Sequence, residues 1–240
     1  MNTFSAEDCV LEPVGERCVL IRIGERLDEE VIAWVHAITA RVAAAALPGV
    51  EEVVPAFTTV AVQYRPEVFD GAQGLPSAQL MTLLRGLLRE ELTTMQMTAR
   101  QIEIPACYGG EFGPDLEAVA RFAGISAKEV VALHSSREMT VYAFFFSPGN
   151  SFSGPMDACL GIGRRATPRT CVEAGSVAIA NGLTSIYQNA SPGGWQVIAR
   201  TPWNMFDLTN DPPVRLRLGD RIRFRPVSAE EFVTLLEPRP

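Results

Sequence analysis

The sequence predicts an α+β protein of two domains: a ferredoxin-like α/β domain over residues 1–97, then a β-barrel domain over residues 98–240. Three observations lead there. The first ninety residues alternate strand-like and helix-like periods in the order β-α-β-β-α, the opening of a ferredoxin-like sandwich. Between Arg164 and Asp207, proline and glycine interrupt short apolar runs at intervals suited to strands and too short for helices. No internal repeat, low-complexity tract or long linker separates the two patterns.

Cys18–Ile23 (CVLIRI) is a β-rich apolar run ended by Gly24. Asp28 then caps a helix whose Val31, Trp34, Val35, Ile38 and Val42 fall on one stripe, with His36 beside it; Pro48-Gly49 ends this segment. Val50–Val54 and Thr59–Tyr64 are close enough to form a hairpin. Ser77 is the expected cap of a second helix carrying Leu80, Leu83, Leu84, Leu87 and Leu88. The sheet needs one more strand, supplied by Gln101–Ile104 or by the N-terminal residues.

Beyond residue 104, the run CYGGEFGPDL forces a tight loop into a helix, with Pro114 in its first turn and Gly124 at its end. Ser126-Ala-Lys-Glu129 is a capping box for the next helix, whose buried side carries Val130, Val131 and His134. Glu111 and Asp115 place two carboxylates near one loop, where acid–base work competes with capping and solvation. Val141–Phe146 is an aromatic-rich strand, and Ser147–Gly154 reads as a polar loop outside the core. Arg164–Asp207 supplies three or four strands. Val214–Leu218 and Arg221–Pro226 form an expected hairpin through Leu218-Gly219-Asp220, with Arg215, Arg217, Arg221, Arg223 and Arg225 on a solvated face. Ser228-Ala-Glu-Glu231 opens a last helix.

Composition narrows the function classes. At 240 residues, 47% hydrophobic and 20% charged, the chain can bury a sizeable core. A net charge of −7 argues against a general nucleic-acid binder, although Arg164, Arg165 and Arg169 concentrate positive charge locally. No apolar run reaches the roughly 20 residues that span a bilayer. The first residues have neither the basic n-region nor the apolar h-region of a signal peptide, so the expected location is cytoplasmic, without membrane association. Five scattered cysteines lack metal-ligand spacing, so no metal site is expected, and Cys107 is the candidate for a reactive thiol. Rigid turns, guanidiniums and Trp195 together suit an anion or a planar polar group.

Several long motifs occur in a recognisable order: Leu47–Pro55 (LPGVEEVVP), Ile104–Leu116 (IPACYGGEFGPDL), Arg164–Arg169 (RRATPR), Ala174-Gly-Ser176, Ser191–Trp195 (SPGGW) and Arg200-Thr-Pro202. Through them the chain resembles the family of 5-oxoprolinase B-type subunits, also described as allophanate hydrolase subunit 1 or sporulation-kinase inhibitor-like, over residues 18–228. The resemblance implies that the second domain is a cyclophilin-like β-barrel. It further implies a C-type partner that is itself carboxyltransferase-like, a possible A-type partner, and an ATP-dependent opening of a lactam, 5-oxoproline to glutamate, in which the assembled complex uses the ATP. Other relatives imply two alternatives: carboxyl transfer from biotin to urea, or inhibition of a histidine kinase. Peptidyl-prolyl isomerisation follows from barrel analogy alone.

Carried onto this chain, the resemblance assigns Arg165 and Arg169 as catalytic guanidiniums. It assigns Pro148, Gly149, Pro168, Thr184, Tyr187, Ser191, Gly193, Gly194 and Trp195 to substrate binding, with Tyr187 and Trp195 equally suited to barrel core. Both family reactions build negative charge on an oxygen that donors must stabilise. The departures fall in two loops. Phe145, Asn150 and Ser153 stand where the family has glycine, an aromatic and leucine, and Leu183–Gln188 (LTSIYQ) replaces Gln-Thr-Gly-Ile-Tyr-Pro. Substrate identity is the property those changes put in question.

Overall fold

The computed structural model describes residues 9–26, 28–89 and 99–237. The chain divides into two compact units, Met1–Thr98 and Ala99–Pro240. The boundary expected at residue 97, like the N-terminal stretch 1–8, lies outside the described residues.

In the first unit, β1 (Val10–Pro13), β2 (Cys18–Arg22), α1 (Glu29–Ala44), β3 (Val50–Ala56), β4 (Thr59–Tyr64) and α2 (Pro76–Leu88) follow in order. The sheet is antiparallel, ordered β1-β2-β4-β3. The N-terminal residues therefore supply the strand that completes the ferredoxin-like sandwich, and Gln101–Ile104 belongs to the other unit. Asp28 caps α1, its Oδ1 accepting from the Val31 amide at 2.8 Å. Trp34, Val35, Ile38 and Val42 are buried against Val19, Ile21, Val60 and Val62 of the sheet and Leu80, Leu84 and Leu88 of α2. Each such side chain contributes roughly 1.5–3 kcal/mol by leaving water. Ser77 does not cap α2. Leu75 is the N-cap, without a side-chain bond, and Pro76 occupies the first turn, where its fixed φ suits a helix start and no N–H is lost.

The second unit contains β5 (Gln101–Tyr108), α3 (Leu116–Ala123), α4 (Ala127–Ser136), β6 (Met139–Phe144), β7 (Ser151–Gly154), β8 (Arg169–Val172), β9 (Ser176–Ala180), β10 (Leu183–Ile186), β11 (Ser191–Gly193), β12 (Gln196–Arg200), β13 (Arg221–Pro226) and α5 (Ala229–Thr234). Seven strands close a barrel in the order β10-β7-β6-β13-β5-β12-β9, with β9 pairing back to β10; β8 and β11 form a separate two-stranded ribbon. Ile104, Val141, Val177, Ile179, Ile186, Ile198, Ile222 and Phe224 fill the interior together with Val119 of α3 and Val130 of α4. The capping box of α4 is complete, Ser126 and Glu129 bonding reciprocally. At the start of α5, Ser228 accepts from the Glu231 amide, while its hydroxyl bonds Glu230.

Three expectations are corrected here. Ser151–Gly154 is not an exposed loop but the buried strand β7. Ser153 lies opposite Val141 and Thr184, and residues opposite one another in register share a face, so the serines turn inward despite their polarity. Val214–Leu218 forms no hairpin with β13; its one bridge joins Val214 to Phe206. Asp220 explains why: its carboxylate accepts from the Arg217 amide at 2.6 Å and from Arg100 Nε at 2.9 Å, which directs β13 beside β5, in parallel. The arginines of β13 are also not left to solvent alone, because Arg223 and Arg225 both pair with Glu103 across that junction.

Candidate functional site

The arginine-rich segment 164–169 meets the loop between β5 and α3, and the meeting point is Asp115. Its neighbourhood is fixed by close backbone approach. The Gly109 amide donates to Ile198 O at 3.1 Å and the Asp115 amide to Val197 O at 2.9 Å, laying the loop along β12. A Cβ on Gly113 would stand 1.9 Å from Ile198 O, so only glycine fits there. Asp115 occupies the N-cap position of α3 but makes no capping bond. Instead its carboxylate accepts four donors: Arg165 Nη1 and Arg169 Nη2 on Oδ1, at 2.7 and 2.8 Å, and Arg169 Nη1 and the Val197 amide on Oδ2, both at 2.7 Å. The carboxylate is buried, whereas Arg165 and Arg169 keep 33% and 25% of their side chains exposed. Charge-assisted bonds of this kind are the strong ones. The Asp115 carboxylate holds the Arg169 guanidinium above its ordinary pKa. Of the duties weighed for Asp115 from sequence, acid–base work, capping and solvation, the last two are not what it does.

Around this cluster the ribbon β8–β11 brings further residues together. Gly193 pairs with Arg169, Ser191 with Val172, and the Arg165 amide donates to Gly194 O at 2.7 Å. Tyr187 and Trp195 pack on Val172, Ala178 and Val197, a small apolar cluster. A Cβ on Gly193 would lie 2.4 Å from the Tyr187 hydroxyl, so the glycine admits the phenol. Burial pushes the Tyr187 pKa up, opposed by Arg164 and by a bond from the Trp195 backbone. Trp195 also meets Phe152 edge-on, at 5.2 Å between centroids, and Phe152 in turn touches Phe145 and Phe146. Phe146 is 93% exposed. These rings form one aromatic row, which Trp195 joins to the ribbon.

The other assigned residues divide. Pro168 lies by Gly194 at the rim. Gly149 packs on the Met205 backbone with φ +81, and Pro148 beside it is exposed. Thr184 does not join the group. It points into the barrel, where His134 Nε2 lies 3.0 Å from its hydroxyl. Cys107 is buried in β5, and burial raises its thiol pKa, the opposite of what a thiolate nucleophile needs. Among the described residues no cluster of His, Cys, Asp and Glu could hold a metal, and no helix is long and apolar enough to cross a membrane. Sequence reasoning missed Phe152 and the part played by Asp115. For Asp115 the only signal was opposite charge, 50 and 54 positions away in Arg165 and Arg169; for Phe152 the sequence carried none.

Residues 9–216 match the model of the carboxyltransferase domain, subdomain C and D. The chain belongs to that family. Among its relatives, the Bacillus subtilis protein named as the B subunit of 5-oxoprolinase is 37% identical over 228 residues, covering 92% of this chain and 94% of that protein. The crystal structure of TTHA0988 superposes with a TM-score of 0.75 at 33% identity; it covers 89% of this chain, which spans only 40% of TTHA0988. The urea carboxylase of Kluyveromyces lactis shares the fold, with a TM-score of 0.75 at 19% identity, over 95% of this chain and 22% of that one.

Proposed function

We propose that this chain is the B-type component of an ATP-dependent, 5-oxoprolinase-like complex, which opens the lactam ring of 5-oxoproline to glutamate together with a C-type carboxyltransferase component and an A-type component. The observation that carries the reading is the likeness to the B subunit of 5-oxoprolinase along nearly the whole chain. The candidate site has the chemistry the reaction asks for. In lactam opening, a water oxygen bonds to the ring carbonyl carbon, the C–N bond breaks, and the departing nitrogen takes up a proton. Negative charge builds on the carbonyl oxygen before the ring opens.

The chain's own residues supply positive charge and a flat apolar surface. Arg165 and Arg169 share one carboxylate, Asp115, and Arg164 lies by Gly194 and Tyr187, which leaves a positive surplus at the rim. Asp115 holds Arg165 and Arg169 in place, so their part is to position the 164–169 loop and maintain that surplus. Trp195, braced by Phe152, offers a ring against which a planar amide can lie. ATP is assigned to the assembled complex.

Reconstitution tests the reading. This chain, mixed with its C-type and A-type partners, ATP and 5-oxoproline, is expected to release glutamate, and omission of any one component to stop it. Absence of turnover by the complete mixture would reject the proposal.

A further inference from the structure

We infer that Arg164, and not Arg165 or Arg169, makes the direct contact with the carboxylate of the substrate. The inference deepens the lactam reading and rests on it. The three arginines are near neighbours in sequence but not equivalent in space. Arg165 and Arg169 are tied to Asp115 by three bonds between them. Arg164, exposed and one residue away, makes no ion pair or hydrogen bond with any described residue.

Its position is nonetheless defined. Arg164 Nε lies 3.5 Å from where a Cβ of Gly194 would stand, so the bare glycine backbone is what faces the guanidinium. Pro168 borders the same point at 3.6 Å, and the Arg165 amide is anchored to Gly194 O at 2.7 Å. Gln196 Nε2 donates to Gly163 O at 3.1 Å, so the backbone on both sides of Arg164 is restrained while its side chain is left open. Tyr187, under Gly193, is near enough to feel the Arg164 charge.

An unpaired guanidinium beside a side-chain-free turn can take a planar carboxylate through two parallel N–H bonds. The nearby acidic group, Asp115, is already saturated with four donors and cannot compete for it. A lactam substrate with an α-carboxylate would then present its ring toward Trp195 and its carboxylate toward Arg164. A neutral lactam would gain nothing from Arg164.

The test uses the reconstituted complex with two substrates, 5-oxoproline and its neutral carboxamide. Arg164→Gln is expected to raise KM for 5-oxoproline at least tenfold, to leave kcat within about threefold, and to leave the carboxamide unaffected; Arg164→Lys should recover part of the loss. The variant should melt with the wild type, because no internal bond is removed, whereas Arg165→Gln should melt lower by uncovering Asp115. An unchanged KM for 5-oxoproline, or an equal loss on acid and carboxamide, overturns the inference and leaves the lactam reading intact. If the wild-type complex turns nothing over, the lactam reading falls, and the Arg164 contact is judged on the chain itself by amide NMR shifts. Titrated 5-oxoproline should then move the amides at positions 164, 193 and 194 in the wild type but not in Arg164→Gln, and the carboxamide should move none of these three in either protein. Identical shifts in the two proteins would overturn it.

Discussion

His134 is held inside the barrel at 1% exposure, its Nδ1 2.7 Å from the Tyr108 hydroxyl, its Nε2 3.0 Å from Thr184 Oγ1, and its ring stacked on Phe224. Burial lowers its pKa to about 3, so it stays neutral in the fold well below the point at which the unfolded chain protonates. Its contribution to stability is complete above the unfolded value of 6.5 and is lost progressively as pH falls toward 3, since only the unfolded state binds the proton in that window. Between pH 7.5 and 5.0 the expected loss is about 2 kcal/mol, from 1.36 kcal/mol per pH unit below the unfolded value. His36, also lowered by burial, adds in the same direction. The comparison that isolates His134 is therefore wild type against His134→Gln in urea at both pH values. The variant should lose less on acidification, and equal losses would contradict the argument. The buried side of the α4 stripe made His134 legible as packed. Its partners, 26 and 50 positions away, were not, because no sequence period links a barrel strand to the helix that it receives.

At the level of elements, what was legible followed from local physics. The Asp28 cap, the complete Ser126–Glu129 box and the Gly124 stop at φ +70 each need only neighbouring residues, and all three occur as expected. β7 escaped notice because Ser151 and Ser153 turn inward, their hydroxyls without a partner among the described residues, an arrangement that composition argues against. The loop between β5 and α3 shows how a glycine's meaning depends on what approaches it. Gly113→Ala would drive a methyl into the Ile198 carbonyl at 1.9 Å, backbone against backbone with no flexible tip to yield. Separation of the loop from β12 should cost more than about 3 kcal/mol. Gly86, in the interior of α2 with nothing within 4 Å of its prospective Cβ, makes the contrast. Gly86→Ala should stabilise by about 0.5–1 kcal/mol through helix propensity. Calorimetry on the two variants should show melting shifts of opposite sign, and a tolerated alanine at 113 would mean that the loop is not clamped as described.

At the level of the whole molecule, the barrel closes by joining distant stretches of chain. β5, directly after residue 100, runs parallel to β13 in an unbroken register from Gln101↔Arg221 to Pro105↔Arg225 and Ala106↔Pro226, and β13 also borders β6. The alternation of Arg221, Arg223 and Arg225 with Ile222 and Phe224 disclosed which side chains of this strand face the core. It did not disclose the strand's neighbours, since a period of two fixes faces and leaves partners open. The nearby Leu218-Gly219-Asp220 turn made a hairpin the economical expectation, and a bond donated by Arg100, 120 positions away, to the Asp220 carboxylate set that expectation aside. Because β13 sits between two strands, its inward residues should matter far more than its outward charges. Phe224, 1% exposed and stacked on His134, should cost about 3–5 kcal/mol when cut to alanine, through lost burial and the cavity left behind. Arg223, whose contact with Glu103 is solvent-exposed, should cost under about 1 kcal/mol. Urea unfolding of Phe224→Ala and Arg223→Ala should therefore give a large and a small midpoint shift from adjacent positions. Comparable shifts would mean that β13 is an edge, not the strand through which the barrel closes.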